Sequence, residues 1–157
     1  MNIKKNMALM QMETIMNKLI ILALFTTLSF SISAKEVYDI ARTYTIYPST
    51  IVAMAKVESS LGKQILGDNG KSLGILQVQI STLKFLATKD RKLAWVLNYK
   101  KKILETMLLT NEPFNIYVGS SYLNYLVERY GYRHGIMRYN GGHTNWTYYN
   151  KVKGEMK

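Results

Sequence analysis

The sequence contains no cysteine. Disulfides, cysteine-ligated zinc, iron–sulfur clusters, a thiol nucleophile and a lipid-modified cysteine anchor are therefore excluded. Histidine is scarce too: His134 and His143 are the only two, which argues against a histidine-rich metal site. Pro48 and Pro113 are the only prolines, so long helices are free to form. Acidic residues are few, 10 against 21 lysines and arginines, for a net charge of +11. This favours an anionic partner, but composition does not choose among nucleic acid, anionic lipid and a cell-wall polymer. What remains is 157 residues, 48% hydrophobic and 20% charged. That is enough for one domain with a buried core and excludes wholesale disorder. No internal repeat or low-complexity tract is present.

The N-terminus reads as an address. Leu19 to Ala34 carries no charge, follows Met16-Asn17-Lys18 and precedes Lys35-Glu36. The run is short for a membrane-spanning helix, which needs roughly 20 residues. A basic start, an apolar middle and small residues at the end describe a secretory signal peptide at 16–34, with cleavage after Ala34 or Ser33. Residues 1–15 then reflect either a start codon assigned too early, at Met1 instead of Met16, or a long basic leader. An uncleaved membrane anchor is the alternative. Cleavage leaves 35–157, periplasmic or extracellular, with 18 basic residues against 9 acidic, because three lysines and one glutamate are lost. Without disulfides, core packing alone must hold such a domain.

The exported part reads as helical. Val37, Ile40, Ala41 and Tyr44 give a short first helix. Pro48 suits the first turn of a second, whose stripe runs Ile51, Met54, Ala55, Glu58 and Leu61. Gly62 to Ser72 is a loop with three glycines. Gly74 to Ile80 is a short strand or an extended lead into a helix through Thr82–Thr88. Residues 92–110 read as one helix with Trp95, Val96, Tyr99, Ile103, Met107 and Leu108 on its apolar face. Ile116 to Tyr130 is the clearest amphipathic helix, closed by Gly131, and Ile136–Tyr139 a short one ended by Asn140-Gly141-Gly142. The expected fold is all-α and single-domain, with a loop or strand-like insert after the second helix.

Glu58 is the informative residue. It shares the inward face of its helix, where a carboxylate costs free energy unless it is paired or protonated. Desolvation raises a carboxyl pKa, as a general acid near neutral pH requires. A lone glutamate at a helix end more often simply points at solvent. Asp68-Asn69-Gly70-Lys71 lacks the alternating acids of a calcium loop and reads as a turn, although Asp68 is the one candidate for a second carboxylate close to Glu58 in sequence. The two histidines have no partner at a recognisable spacing and read as surface or packing residues. Seven positive side chains between Lys84 and Lys102, interleaved with Trp95 and Tyr99, form either a solvated face or a surface for anionic peptidoglycan or membrane.

The order of blocks changes the odds for Glu58. Glu58-Ser59 is followed by Ser72-Leu73-Gly74-Ile75-Leu76-Gln77-Val78, then Asn115…Gly119…Tyr122-Leu123, then Tyr139-Asn140-Gly141-Gly142. Four such blocks in this order resemble the catalytic domain of the soluble-type lytic transglycosylases, related to goose-type lysozymes. Leu76 stands where that family usually has methionine, a volume-conserving exchange. The stretch Thr82–Asn111 is longer and more basic than in the shortest members.

The resemblance implies a lysozyme-like α domain acting on peptidoglycan without metal or cofactor. By position, Glu58 matches the catalytic acid/base. Ser72 and Gln77 match groups around the sugar, Tyr139 the tyrosine facing the carboxyl, and Asn140 its neighbour. One glutamate then does both jobs, closing a 1,6-anhydro ring on N-acetylmuramic acid. The resemblance also implies a monomer bound to glycan strands, with no nucleic-acid partner, in some cases beside a secretion, pilus or flagellar machine. Rival readings are a hydrolysing lysozyme on the same fold, a catalytically silent peptidoglycan-binding scaffold, and a basic secreted binder of nucleic acid or membrane.

Overall fold

The structure is a computed structural model that describes residues 31–156. The leader expected at 1–34 falls outside the described residues except for its last four positions. No helix among the described residues is long and apolar enough to cross a membrane.

A well-made cap opens the first helix of the described residues. Ser33 accepts a hydrogen bond from the Glu36 amide, and its own amide donates to the Glu36 carboxylate at 2.9 Å, a reciprocal capping box. It opens α1 (Ala34–Ala41), which buries Val37 and Ala41 one turn apart. Ile32, ahead of the cap, is buried, and its amide donates to the Leu61 carbonyl at 3.2 Å. The expected cleavage after Ala34 would remove both the cap and this anchor.

Pro48 starts α2 (Pro48–Ser59), where its missing N–H costs nothing. Ile51, Ala53, Met54 and Ala55 are all buried, so this helix runs through the core rather than along its edge. It ends abruptly at two consecutive left-handed residues, Ser60 (φ 53°) and Leu61 (φ 59°). Neither is glycine, so each costs roughly 1–2 kcal/mol, which the surrounding contacts must offset.

The insert is a small antiparallel sheet. β1 (Leu66–Gly67), β2 (Ser72–Leu73) and β3 (Val78–Gln79) lie in the order β1-β2-β3. Leu66 is opposite Leu73, and Ser72 opposite Gln79. The Asp68–Gly70 segment between the first two strands is a left-handed turn, with φ of 48°, 56° and 81°, closed by the Lys71 amide donating to the Asp68 carbonyl at 3.2 Å. The ambiguity at 74–80 resolves into a turn, strand β3 and then α3 (Ile80–Ala87).

The single helix expected over 92–110 is two pieces. A 3₁₀ helix spans Arg91–Asn98, the chain is extended at Tyr99 and Lys100, and α4 (Lys101–Thr110) follows. The interior residues explain the break. Leu93 and Val96 are buried three apart, which suits a 3₁₀ turn, whereas Leu104 and Leu108 are four apart, which suits an α-helix. No residue between Val96 and Leu104 is buried, so nothing holds the stretch against the core. Trp95, Tyr99 and Ile103, expected on the apolar face, are exposed, and Trp95 stacks edge-on against Tyr99 at 5.5 Å.

The long α5 (Glu112–Tyr130) is capped by Asn111, which accepts from the Phe114 amide at 2.9 Å. Gly131 (φ 78°) ends it, and α6 (Tyr132–Tyr139) folds back against it. A last helix, α7 (Trp146–Glu155), absent from the sequence reading, is capped by Asn145 and packs on α2 through the buried Tyr148 and Val152.

Candidate active site

Glu58 lies in the last turn of α2, and the residue after it fixes where that turn points. The buried Ser59 hydroxyl donates to the Ile75 carbonyl at 2.8 Å and accepts from the Gly62 amide at 2.8 Å. The end of the helix is thereby tied to the turn between β2 and β3.

That turn is held from the other side by Asn115 of α5, which is fully buried. Its side-chain oxygen accepts from the Leu76 amide at 2.9 Å, and its nitrogen donates to the Leu73 and Leu108 carbonyls at 2.8 and 3.0 Å. One amide satisfies three backbone groups that would otherwise be buried and unpaired. Gly74 makes this possible: at φ 75°, any Cβ there would meet the Asn115 amide at 2.2 Å. Gly119, one helical turn past Asn115, lets α5 press directly on the same segment. A Cβ at Gly119 would sit 2.4 Å from the Leu76 side chain and 2.9 Å from the Tyr139 hydroxyl.

Glu58, Ser72, Gln77, Tyr139 and Asn140 line one cavity of about 560 Å³. The five residues singled out in the sequence therefore share one wall-to-wall space. Gln77 sits at a left-handed φ of 47°, and its amide donates to the Gly74 and Gln64 carbonyls. Tyr139 packs against Tyr122 with ring centroids 5.3 Å apart. Its hydroxyl donates to the Leu76 carbonyl at 2.9 Å, so it braces the turn and does not bond the carboxyl.

The hydroxyl on Glu58 belongs to Tyr148 of α7, which donates to Oε1 at 2.5 Å. Sequence reasoning missed Tyr148. The signal available was Asn145 as a cap, followed by Tyr148 and Val152 at a four-residue spacing. Burial raises the Glu58 pKa above the ordinary carboxyl value; the Tyr148 hydroxyl and the Asn140 amide pull it down, and the nearby charge of Asp68 pushes it up. Burial and the Glu58 charge push the Tyr148 hydroxyl well above its usual range, so it remains a donor.

Asp68 is expected as a turn residue and as the one carboxylate close to Glu58 in sequence. It does form the turn, but it also lines the cavity and accepts from the buried Ser72 hydroxyl at 2.5 Å. The β1–β2 hairpin closes the ten-residue gap by bringing the turn back over Ser72. Among the described residues, no group of three or more acidic or histidine side chains could hold a metal ion. His143, expected at the surface or in packing, is exposed and lines a neighbouring cavity.

The arrangement can do acid–base chemistry. It offers one desolvated carboxyl with a fixed hydroxyl donor, in a polar cleft floored by a hydrogen-bonded turn. Comparison with known proteins finds no match among curated proteins or solved structures. A family model, the Transglycosylase SLT domain, matches residues 37–157. That span holds the whole of the cleft just described, from Glu58 to Tyr148, and the chain belongs to the transglycosylase SLT domain family, whose members are lytic transglycosylases acting on peptidoglycan.

Proposed function

We propose that this domain cleaves the β-1,4 bond between N-acetylmuramic acid and N-acetylglucosamine, leaving a 1,6-anhydro muramyl end, with Glu58 as its acid and base. The observation that carries the reading is the state of Glu58: half-buried in the cavity wall, raised in pKa by that desolvation, and held at Oε1 by Tyr148. A carboxyl whose protonated form is favoured over that of an ordinary carboxyl is suited to protonating a glycosidic oxygen.

The steps balance without water. Protonated Glu58 gives its proton to the bridging oxygen as the bond from C1 breaks. The muramyl 2-acetamido oxygen bonds to C1 and carries the positive charge. Ionised Glu58 then takes the proton from the sugar's own 6-hydroxyl, whose oxygen displaces the acetamido group at C1. The anhydro ring closes and Glu58 is protonated again. Gln77, Ser72 and Asn140 are proposed to position the sugar, and Tyr139 to hold the turn beneath it.

A hydrolytic lysozyme is the second reading, because Asp68 lines the same cavity. Two-carboxylate glycosidases use such a group to activate water or to attack C1. Asp68 is exposed and engaged by Ser72, which favours a supporting role. Digestion of purified peptidoglycan separates the two. Ends one water lighter than reducing ends support the transglycosylase. Ordinary reducing ends, with activity lost in Asp68→Asn, support the lysozyme, and no release at all supports a silent scaffold. Export by the 16–34 segment, and local wall opening for a secretion, pilus or flagellar system, belong to the same proposal. N-terminal sequencing of the exported protein tests the first.

A further inference from the structure

A second cavity, of about 420 Å³, adjoins the catalytic one and shares Thr82, Tyr122 and Gly141 with it. Its character is different. Phe85, Tyr125 and Tyr130 supply aromatic walls, Arg138 supplies charge, and its lining includes no carboxylate. The Arg138 guanidinium lies 3.9 Å from the centre of the Tyr130 ring. Its Nε is buried and finds no hydrogen-bond partner among the described residues. The Lys89 ammonium stands 5.9 Å from the Phe85 ring and adds positive charge beside the same wall.

Stacking fixes the plane of a guanidinium and leaves its edge free to donate. A planar donor fork, oriented by an aromatic ring and lacking an acidic partner, is built for a carboxylate. Arg138 also immediately precedes Tyr139, which lines the catalytic cavity, so one step along α6 passes from one site to the other.

We propose that Arg138 is a specificity-determining residue that binds a carboxylate carried by the muramyl residues of the glycan, in a subsite continuous with the catalytic cleft. The inference rests on the peptidoglycan-cleaving reading. Two sources share this chemistry: the free carboxylates of the stem peptide, and the lactyl carboxylate exposed when an amidase has removed the peptide. Neutral sugar hydroxyls would leave the guanidinium without its charged partner.

The test compares three substrates: intact peptidoglycan, amidase-treated peptidoglycan with free lactyl groups, and peptidoglycan whose carboxyls are converted to neutral amides. One charge-assisted pair corresponds to about ten-fold in affinity. Wild-type KM is expected to rise by about that factor on the amidated substrate, with kcat nearly unchanged. Arg138→Gln should show the raised KM on carboxylate-bearing material and no further loss on the amidated one. The arm on which Arg138→Gln matters identifies the source, stem or lactyl. Arg138→Lys keeps the charge without the fork; it should fall between the two, and it serves if Arg138→Gln does not fold. Co-sedimentation of Glu58→Gln and Glu58→Gln/Arg138→Gln proteins with the same three materials reads binding without turnover. A failed cleavage reading therefore leaves the carboxylate preference independently measurable. Equal losses for Arg138→Gln on all three substrates, or no loss on any, would overturn the proposal.

Discussion

The two adjoining cavities are built on opposite principles. Around Glu58 the polar groups are committed: Ser72 to Asp68, Tyr139 to Leu76, Gln77 to two carbonyls, and Tyr148 to the carboxyl itself. Beside it, Arg138 lies against a ring with a donor unused. Proton transfer gains from groups that need no rearrangement when charge develops. Recognition of a charged ligand gains from a donor left free until the ligand arrives. Thr82, Tyr122 and Gly141 line both cavities, so the two adjoin along one wall.

Substitutions can break the first cavity while sparing the second. Glu58→Gln keeps the volume and removes the proton, so turnover should fall by at least the roughly 10²–10⁴-fold attributed to general acid–base catalysis. Sedimentation with peptidoglycan should persist. Full digestion by this variant would remove Glu58 from the mechanism. The same variant carries a stability signature. The Glu58 pKa is raised in the fold, so the folded state binds the proton more tightly than the unfolded chain does. Its contribution is present below the ordinary carboxyl pKa and is lost as pH rises through the raised one. Denaturant melts should show Glu58→Gln gaining on the parent only above the ordinary carboxyl value.

Tyr148→Phe sharpens the comparison by altering the carboxyl without removing it. Its hydrogen bond favours the ionised form, so its loss should raise the Glu58 pKa further. The expected result is a kcat reduced by about ten-fold, the scale of one lost charge-assisted hydrogen bond. The alkaline limb of the pH–rate profile should also move upward. A limb that moves downward, or not at all, would contradict the geometry. Asn115→Ala acts on the turn that floors the first cavity by removing the partner of three backbone groups. It should cost about 1–3 kcal/mol in a denaturation curve, with activity lost in step with folding.

The smallest effect is expected at Asp68. Asp68→Asn keeps a side-chain oxygen for Ser72 but removes the charge facing Glu58. Most activity should remain, the products should keep their anhydro ends, and the alkaline limb should shift slightly downward, because Asp68 raises the Glu58 pKa.

The site was more legible in the sequence than the path that builds it. Glu58, Ser72, Gln77, Tyr139 and Asn140 were found because four motif blocks occur in order, and all five line one cavity. Pro48 and Gly131 marked helix ends through backbone chemistry that is local to each residue. Tyr148 was hidden because only two residues of α7 are deeply buried, too few to stand out as a stripe. Asp68 stood out in the sequence only as the carboxylate nearest to Glu58; its place in the cavity depends on pairing between β1 and β2 and not on its neighbours. The break at Tyr99 was misread because aromatic residues were assigned to the core on hydrophobicity alone. Trp95 and Tyr99 instead pack on one another at the surface.

The capping box at Ser33 has a consequence for timing. A processing peptidase needs its target segment extended and accessible. In the folded domain Ile32 is buried, Ser33 is engaged with Glu36, and Ala34 is already helical. Cutting at 33–35 and folding therefore compete for the same few residues. The proposed removal of a leader at that point would have to precede folding, and a chain cut there would lack its cap and be about 0.5–2 kcal/mol less stable than the uncut domain.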